Sequence, residues 1–278
     1  MRERSVFILT AMGFGYAFLY LPIALVVLYS FNDSRLVAVW GGFTLRWYGE
    51  LLRSRDILAA AWLSLRIAVA SATLATGLGT MAALALVRLG RFRGQMLFVG
   101  MITAPLVMPE VITGLSLLLL FVSVQEVTGW TFARGAGTIT IAHVTFCTAY
   151  VAVIVRSRLS RLDPSLEEAA MDLGGRPLRV LLDVTLPIIS PAIAAGWLLA
   201  FTLSLDDLII SSFVSGPGST TLPMLIFSKV RLGVTPDVNA LASIMMLLVS
   251  FGVLIAGLVM MRRDGRISRQ RGGPGAAS

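Results

Sequence analysis

Cysteine and histidine are almost missing. The chain has one of each, Cys147 and His143, in 278 residues. One thiol excludes an internal disulfide framework and a thiol-based zinc site. Charge is scarce too: 14% of residues are Asp, Glu, Lys or Arg, against about 25% in an ordinary soluble domain. That excludes a typical soluble globular protein, a disordered chain and a charged coiled coil. Lysine is represented only by Lys229, so arginine carries the net charge of +8. Those arginines cluster at the ends of apolar blocks, a placement that suits membrane topology and not a nucleic-acid-binding face. H-E-x-x-H, a triad around His143 and the G-x-x-x-x-G-K-[ST] phosphate loop are all absent. Gly77-Leu78-Gly79-Thr80-Met81-Ala82 fits G-x-G-x-x-A, but inside an apolar span without the strand that a dinucleotide fold needs. Gly79 with Ala83, and Gly252 with Ala256, suit close helix packing instead.

What is present is apolar sequence, 56% of the chain, in six blocks that reach or approach the ~20 residues of a membrane span. They are Val6–Phe31, Ser64–Val87, Met96–Val124, Thr138–Val155, Pro191–Val214 and Val238–Met261. The first follows Arg2 and Arg4 as a signal peptide would. Its run of about 25 apolar residues exceeds a signal core, so it reads as an uncleaved first span. Arginines concentrate at the N-terminus, at Arg88, Arg91 and Arg93, between Arg156 and Arg179, and in the tail from Arg262. The positive-inside rule then puts both termini in the cytoplasm. The expected fold class is an all-α membrane protein: one transmembrane domain over 1–278, with a disordered tail at 272–278. Trp40, Arg46, Trp47 and Tyr48 lie in the first outside loop. An interfacial helix over about Leu45–Arg53 accounts for them, with direct substrate contact as the alternative.

The 156–187 loop is the most patterned stretch. Asp163-Pro164 offers an N-cap followed by proline at the first helical position; Ser165-Leu166-Glu167-Glu168 alternatively fits a capping box. Leu166, Ala169, Ala170 and Leu173 share one face, and Gly174-Gly175 ends the helix. Pro177 opens a second amphipathic stretch and Pro187 closes it. The result is a compact helical knob, either a docking element or a connector packed on its own protein.

Glu168-Ala169-Ala170, Gly174, Val184 and Leu186-Pro187, at their fixed spacing, resemble the EAA loop of ABC importer permeases. Val184 stands where that pattern has isoleucine. Phe201–Asp207, Ser212–Gly218 and Asn239–Ala242 resemble polyamine permeases. Ala104–Gly114 and Thr44–Leu52 resemble the putrescine branch of that family. The resemblance implies a six-transmembrane-helix type I importer bundle with cytoplasmic coupling helices, in the bacterial inner membrane. It implies that Glu168, Ala169, Ala170, Gly174, Leu186 and Pro187 serve ATPase docking. It also implies an ATPase dimer, a second permease in a heterodimer and a periplasmic polyamine-binding protein as partners. ATP would be hydrolysed by that separate subunit, so no cofactor, no metal and no catalytic residue is expected here.

Glu110, Asp206 and Asp207 lie within apolar blocks. An acid at mid-bilayer costs roughly 2.5–3.5 kcal/mol on insertion scales, so such residues face a partner or a wet cavity. At 1.5 Å per residue, Glu110 and Asp206 each lie about 22 Å from the cytoplasmic start of their spans. The expectation is that at least one of the three acids lines a cation path. Alternatively Asp207 or Glu110 pairs with Arg66 or caps a freed backbone group. His143 and Cys147 share a helix face, which suits a packing contact or hydrogen bond better than a metal pair. The function so read is a permease subunit importing putrescine or a related polyamine by alternating access. The alternatives are an ABC importer permease for another solute, such as sulfate or iron, and a proton-coupled secondary transporter.

Overall fold

A chain segment in hydrocarbon must satisfy its own backbone N–H and C=O groups, and these apolar blocks do so as helices. The computed structural model describes residues 2–34, 39–129, 133–233, 235–247 and 250. In order, the helices are α1 (Arg2–Tyr29), α2 (Arg46–Arg53), α3 (Arg55–Arg88), α4 (Gln95–Val107), α5 (Glu110–Thr128) and α6 (Ala136–Leu159). There follow α7 (Ser165–Asp172), α8 (Pro177–Val180), a π-helical turn (Leu181–Thr185), α9 (Leu186–Leu205), α10 (Ile209–Val214) and α11 (Leu222–Leu232). Residues 236–247 are also helical and open the expected sixth span. The rest of that span, and the 272–278 tail, lie outside the described residues. Among the described residues there is no β-strand, only a bridge between Asn32 and Phe43.

Among the described residues, five helical stretches are long and apolar enough to cross a membrane: Phe7–Tyr29, Arg55–Arg88, Glu110–Thr128, Ala136–Leu159 and Pro177–Leu205. The expected third span is not one helix. It divides at Met108–Pro109 into α4 and α5. A residue before proline is driven out of the α region, and Met108 is extended at ψ 136°. Pro105, by contrast, is absorbed inside α4. The expected fifth span also divides, between Leu205 and Ile209. At its other end the helix does not stop at Pro187. It runs on from Pro177 to Leu205 through the π-helical turn. Proline has no N–H and its ring crowds the carbonyl four residues back. The wider turn just before Pro187, with Leu186 N–H bonded to Leu181 O, accommodates both deficits.

Two units are distinct, residues 1–54 with 228–278, and residues 55–227. In the first, Trp47 and Leu51 of α2 are buried. Trp47 Nε1 donates to Asn32 O at 2.7 Å, and Tyr48 Oη is 2.6 Å from Ser30 Oγ. Asn32 donates through Nδ2 to Val39 O and accepts at Oδ1 from Gly41 N. A helix is present where the interfacial one is expected, and Trp47 is an internal strut of the loop. Trp40 is the more exposed of the two, at 47%.

In the second unit α3, α6 and α9 pack together. Lipid is as apolar as leucine, so close approach of small residues, not water exclusion, holds such helices. Ala68, Ala72, Ala75 and Ala83 of α3 are fully buried. A Cβ at Gly79 would lie 2.7 Å from Val151 Cβ, and one at Gly196 would lie 3.3 Å from Val151 Cγ1. Val151 of α6 thus sits where α3 and α9 both lack a side chain. The G-x-G-x-x-A match is explained by this packing, since Gly79 is mid-helix. A second contact joins α5 to α10, where a Cβ at Gly114 would lie 2.8 Å from Phe213 Cδ2.

Candidate functional site

Two places concentrate the polar chemistry of the 55–227 unit. The first is the break between α9 and α10. A helix break in a span frees backbone groups that water cannot reach, at several kcal/mol each. Asp207 answers that need: its carboxylate accepts Ser211 N–H at 2.7 Å and Ile210 N–H at 3.2 Å. Its Oδ2 also accepts from His143 Nε2 at 3.1 Å, and both side chains are almost completely buried. With Nε2 donating, His143 Nδ1 accepts the Ser204 hydroxyl proton across 2.6 Å. Ser211 Oγ is a further neighbour of Nε2 at 3.1 Å. One imidazole of α6 therefore ties the end of α9 to the start of α10. Thr138 Oγ1 adds a bond to Val214 O at 2.7 Å.

The expected acids separate here. Asp207 is a buried cap partnered by His143, not by Arg66. Asp206 is its neighbour in sequence but is exposed, as is Glu110, the first residue of α5. Glu110 does not lie mid-helix; it opens a helix at a break, as Asp206 closes one. Cys147 Sγ, one turn from His143, donates to Ala200 O at 3.5 Å. Among the described residues no group of three metal-ligating side chains occurs.

The second place is the 156–187 loop. Asp163 Oδ1 accepts Ser165 N–H at 3.0 Å, so the Asp163-Pro164 start is the one adopted. That backbone bond holds the Asp163 carboxyl below its ordinary value of 3.8. Gly174 ends α7 at φ +87°, where a side chain is strained. Gly175 N bonds back to Ala170 O, and a Cβ there would lie 2.7 Å from that oxygen. The expected apolar face is turned outward: Leu166 and Ala169 are exposed, and Leu173 is 90% exposed. Glu168 is exposed beside them, Ala170 and Leu186 are half-buried, and Pro187 is exposed. Glu167 faces the other way. Arg88 of α3 forks onto it, Nε to Oε2 at 3.0 Å and Nη2 to Oε1 at 3.1 Å. Thr185 Oγ1 donates to Oε1 at 2.7 Å.

The sequence points to a hydrogen bond or packing contact for His143, as found, but not to its partners, and it does not single out Glu167. For Glu167 a local signal is present: it lies off the face of Leu166 and Leu173, one helical turn from Met171. For the partners of His143 no local signal exists, because they lie 61 to 68 residues away.

A family model described as "Binding-protein-dependent transport system inner membrane component" matches residues 75–269, which include both places. The chain belongs to that family. Its members are inner-membrane transport components, and the several apolar helices found here fit a multi-pass membrane protein. Within the family, the chain is 59% identical over 261 residues to the putrescine transport system permease protein PotI of Escherichia coli K12, covering 94% of this chain and 93% of that one. It is 43% identical over 247 residues to the spermidine/putrescine transport system permease protein PotC of the same organism, covering 89% and 90%. The fold is shared with a bacterial ABC transporter that imports the acidic polysaccharide alginate, at TM-score 0.75, 15% identity and coverage of 94% and 96%.

Proposed function

We propose that this family member is the membrane-spanning permease subunit of an ATP-driven importer for putrescine or a related polyamine. It is a six-span single permease domain in the bacterial inner membrane, with both termini cytoplasmic. The observation that carries the substrate class is the 59% identity, over 94% of the chain, to a protein named for putrescine transport. Glu168, Ala169, Ala170 and Gly174, with Leu186 and Pro187, form the cytoplasmic coupling element for a separate ATPase dimer. An amphipathic helix with its apolar face exposed and its ends fixed supports that role. A second permease and a periplasmic binding protein complete the machine.

Glu110 and Asp206 form the acidic part of the cation path. Both are exposed and sit at breaks in apolar blocks, where a diammonium could reach their carboxylates. Asp207 serves this path from behind, by holding the break. Alternating access then moves these breaks between two arrangements as the ATPases close.

The test is uptake of labelled putrescine into vesicles that hold this chain with its partners. Uptake requiring both ATP and binding protein is expected. Uptake by the chain alone, driven by a proton gradient, would replace the importer reading with secondary transport.

A further inference from the structure

We infer that Glu167 is a positioning residue that makes the α7–α8 loop move as one piece with α3 and α9, so that ATPase closure reaches the spans. This rests on the importer reading above. Three elements meet on one carboxylate. Arg88 is the last residue of α3, Glu167 lies in the first turn of α7, and Thr185 ends the π-helical turn leading into α9. The Arg88–Glu167 pair is a two-pronged, charge-assisted contact, stiffer and stronger than a single neutral hydrogen bond. Its side chains are 26% and 16% exposed, so solvent screens it only in part.

The surroundings give the contact its mechanical meaning. A cleft of about 570 Å³ separates the end of α3 from the loop. Arg88, Glu167 and Thr185 are its polar lining residues; the others, such as Met81, Leu84, Met171 and Leu181, are apolar. Apolar walls around open space can slide or part at little cost, so they transmit displacement poorly. The polar bridge is what fixes the loop's distance from the spans. Thr185 adds the second direction, because π-helical turns are places where a helix can shift register, and they recur at functional sites. Glu168, one residue on and about 100° round the helix, is exposed. Adjacent glutamates thus divide the work: Glu168 faces the ATPase, and Glu167 carries its motion inward.

The experiment uses the complete transporter, with both permeases, ATPases and binding protein, in proteoliposomes. It reads ATP hydrolysed per labelled putrescine imported. Glu167→Gln is expected to raise that ratio at least about fivefold, the low end of ordinary coupling between sites. The exchange Arg88→Glu with Glu167→Arg is expected to bring it back toward wild type, while Arg88→Glu alone does not. ATPase copurification is expected to stay unchanged, which separates lost transmission from lost docking. If Glu167→Gln fails to assemble, Thr185→Val carries the test, since it removes one hydrogen bond and leaves the ion pair; a raised ratio is again expected. A wild-type ratio in whichever variant assembles overturns the clamp while leaving the importer reading intact. A wild-type complex without ATP-dependent uptake overturns that reading itself.

Discussion

At the scale of residues, the structure separates pairs that the sequence makes look alike. Gly77 and Gly79 stand in the same turn of α3. A Cβ at Gly77 meets nothing within 4 Å, whereas one at Gly79 would run into Val151. Gly77→Ala should therefore be neutral or slightly stabilising, and Gly79→Val should cost about 1–3 kcal/mol of overpacking. Melting of the detergent-solubilised protein checks both, and equal midpoints would remove Val151 from the α3–α6–α9 contact. Asp206 and Asp207 make a second pair. Asp207→Ala strips two N–H bonds from α10 and leaves His143 without its carboxylate. It should destabilise by about 2–4 kcal/mol, since a buried donor left unmade costs about 1–3 kcal/mol and more than one is lost. Asp206→Asn touches an exposed group and should leave the melting midpoint alone while lowering putrescine uptake. Glu110→Gln should behave like Asp206→Asn. Wild-type uptake in both would take these acids off the path.

At the scale of elements, helices were legible and their breaks were only half so. Length and hydropathy mark each block. Asp163-Pro164 and Gly174-Gly175 mark both ends of α7, because capping and left-handed backbone are local chemistry. Pro109 marks a disturbance, but whether proline kinks, breaks or is absorbed depends on neighbours. Pro105, Pro109 and Pro187 have three different outcomes in one chain. The division after Leu205 has no proline at all, and the signal for it is the pair of adjacent acids. The apolar face of α7 is legible in composition, but which way it turns is not: that side is exposed because the packing side is set by Arg88, which is 79 residues from Glu167. Gly174→Asp places a β-carbon in left-handed backbone at a cost of roughly 1–2 kcal/mol. With Glu168→Lys, it should uncouple ATP hydrolysis from uptake while membrane insertion stays normal. Normal uptake and normal ATPase copurification in both variants would sink the docking role. The same helix carries a pH expectation. Asp163 has a folded pKa below 3.8, so its cap is complete above that value and is lost as pH falls through the lowered pKa. Hydrogen exchange of the α7 amides, corrected for intrinsic rates, should stay flat from neutral pH to 3.8 and rise only below it.

At the scale of the whole molecule, the apolar helices follow from one-dimensional patterns. The packing that joins them does not, because α3, α6 and α9 meet through residues far apart in sequence. Orientation belongs to neither class. It is set by where arginines sit relative to the spans, a property of the chain in its membrane. Fifteen of the 23 basic residues fall at the N-terminus, in the two loops after the second and fourth spans, and in the tail. All of these must then share one side. Cysteine chemistry can test this because the chain has a single, buried thiol, Cys147. In a Cys147→Ser background, Leu45→Cys and Ser160→Cys place a thiol at exposed positions on opposite expected sides. A membrane-impermeant maleimide should label Leu45→Cys in intact spheroplasts and Ser160→Cys only in inverted vesicles. The reverse pattern would turn the 156–187 loop away from any cytoplasmic ATPase, and the coupling reading would fall with it. Labelling of both from the same side would mean an even number of spans between them, against the three expected, and would put the division of the third block back in question. The described helices make that last outcome informative: α4 has 13 residues, too few to cross alone, and α5 has 19. If α4 and α5 cross together as one broken span, three crossings separate Leu45 from Ser160, and the two thiols must report opposite faces.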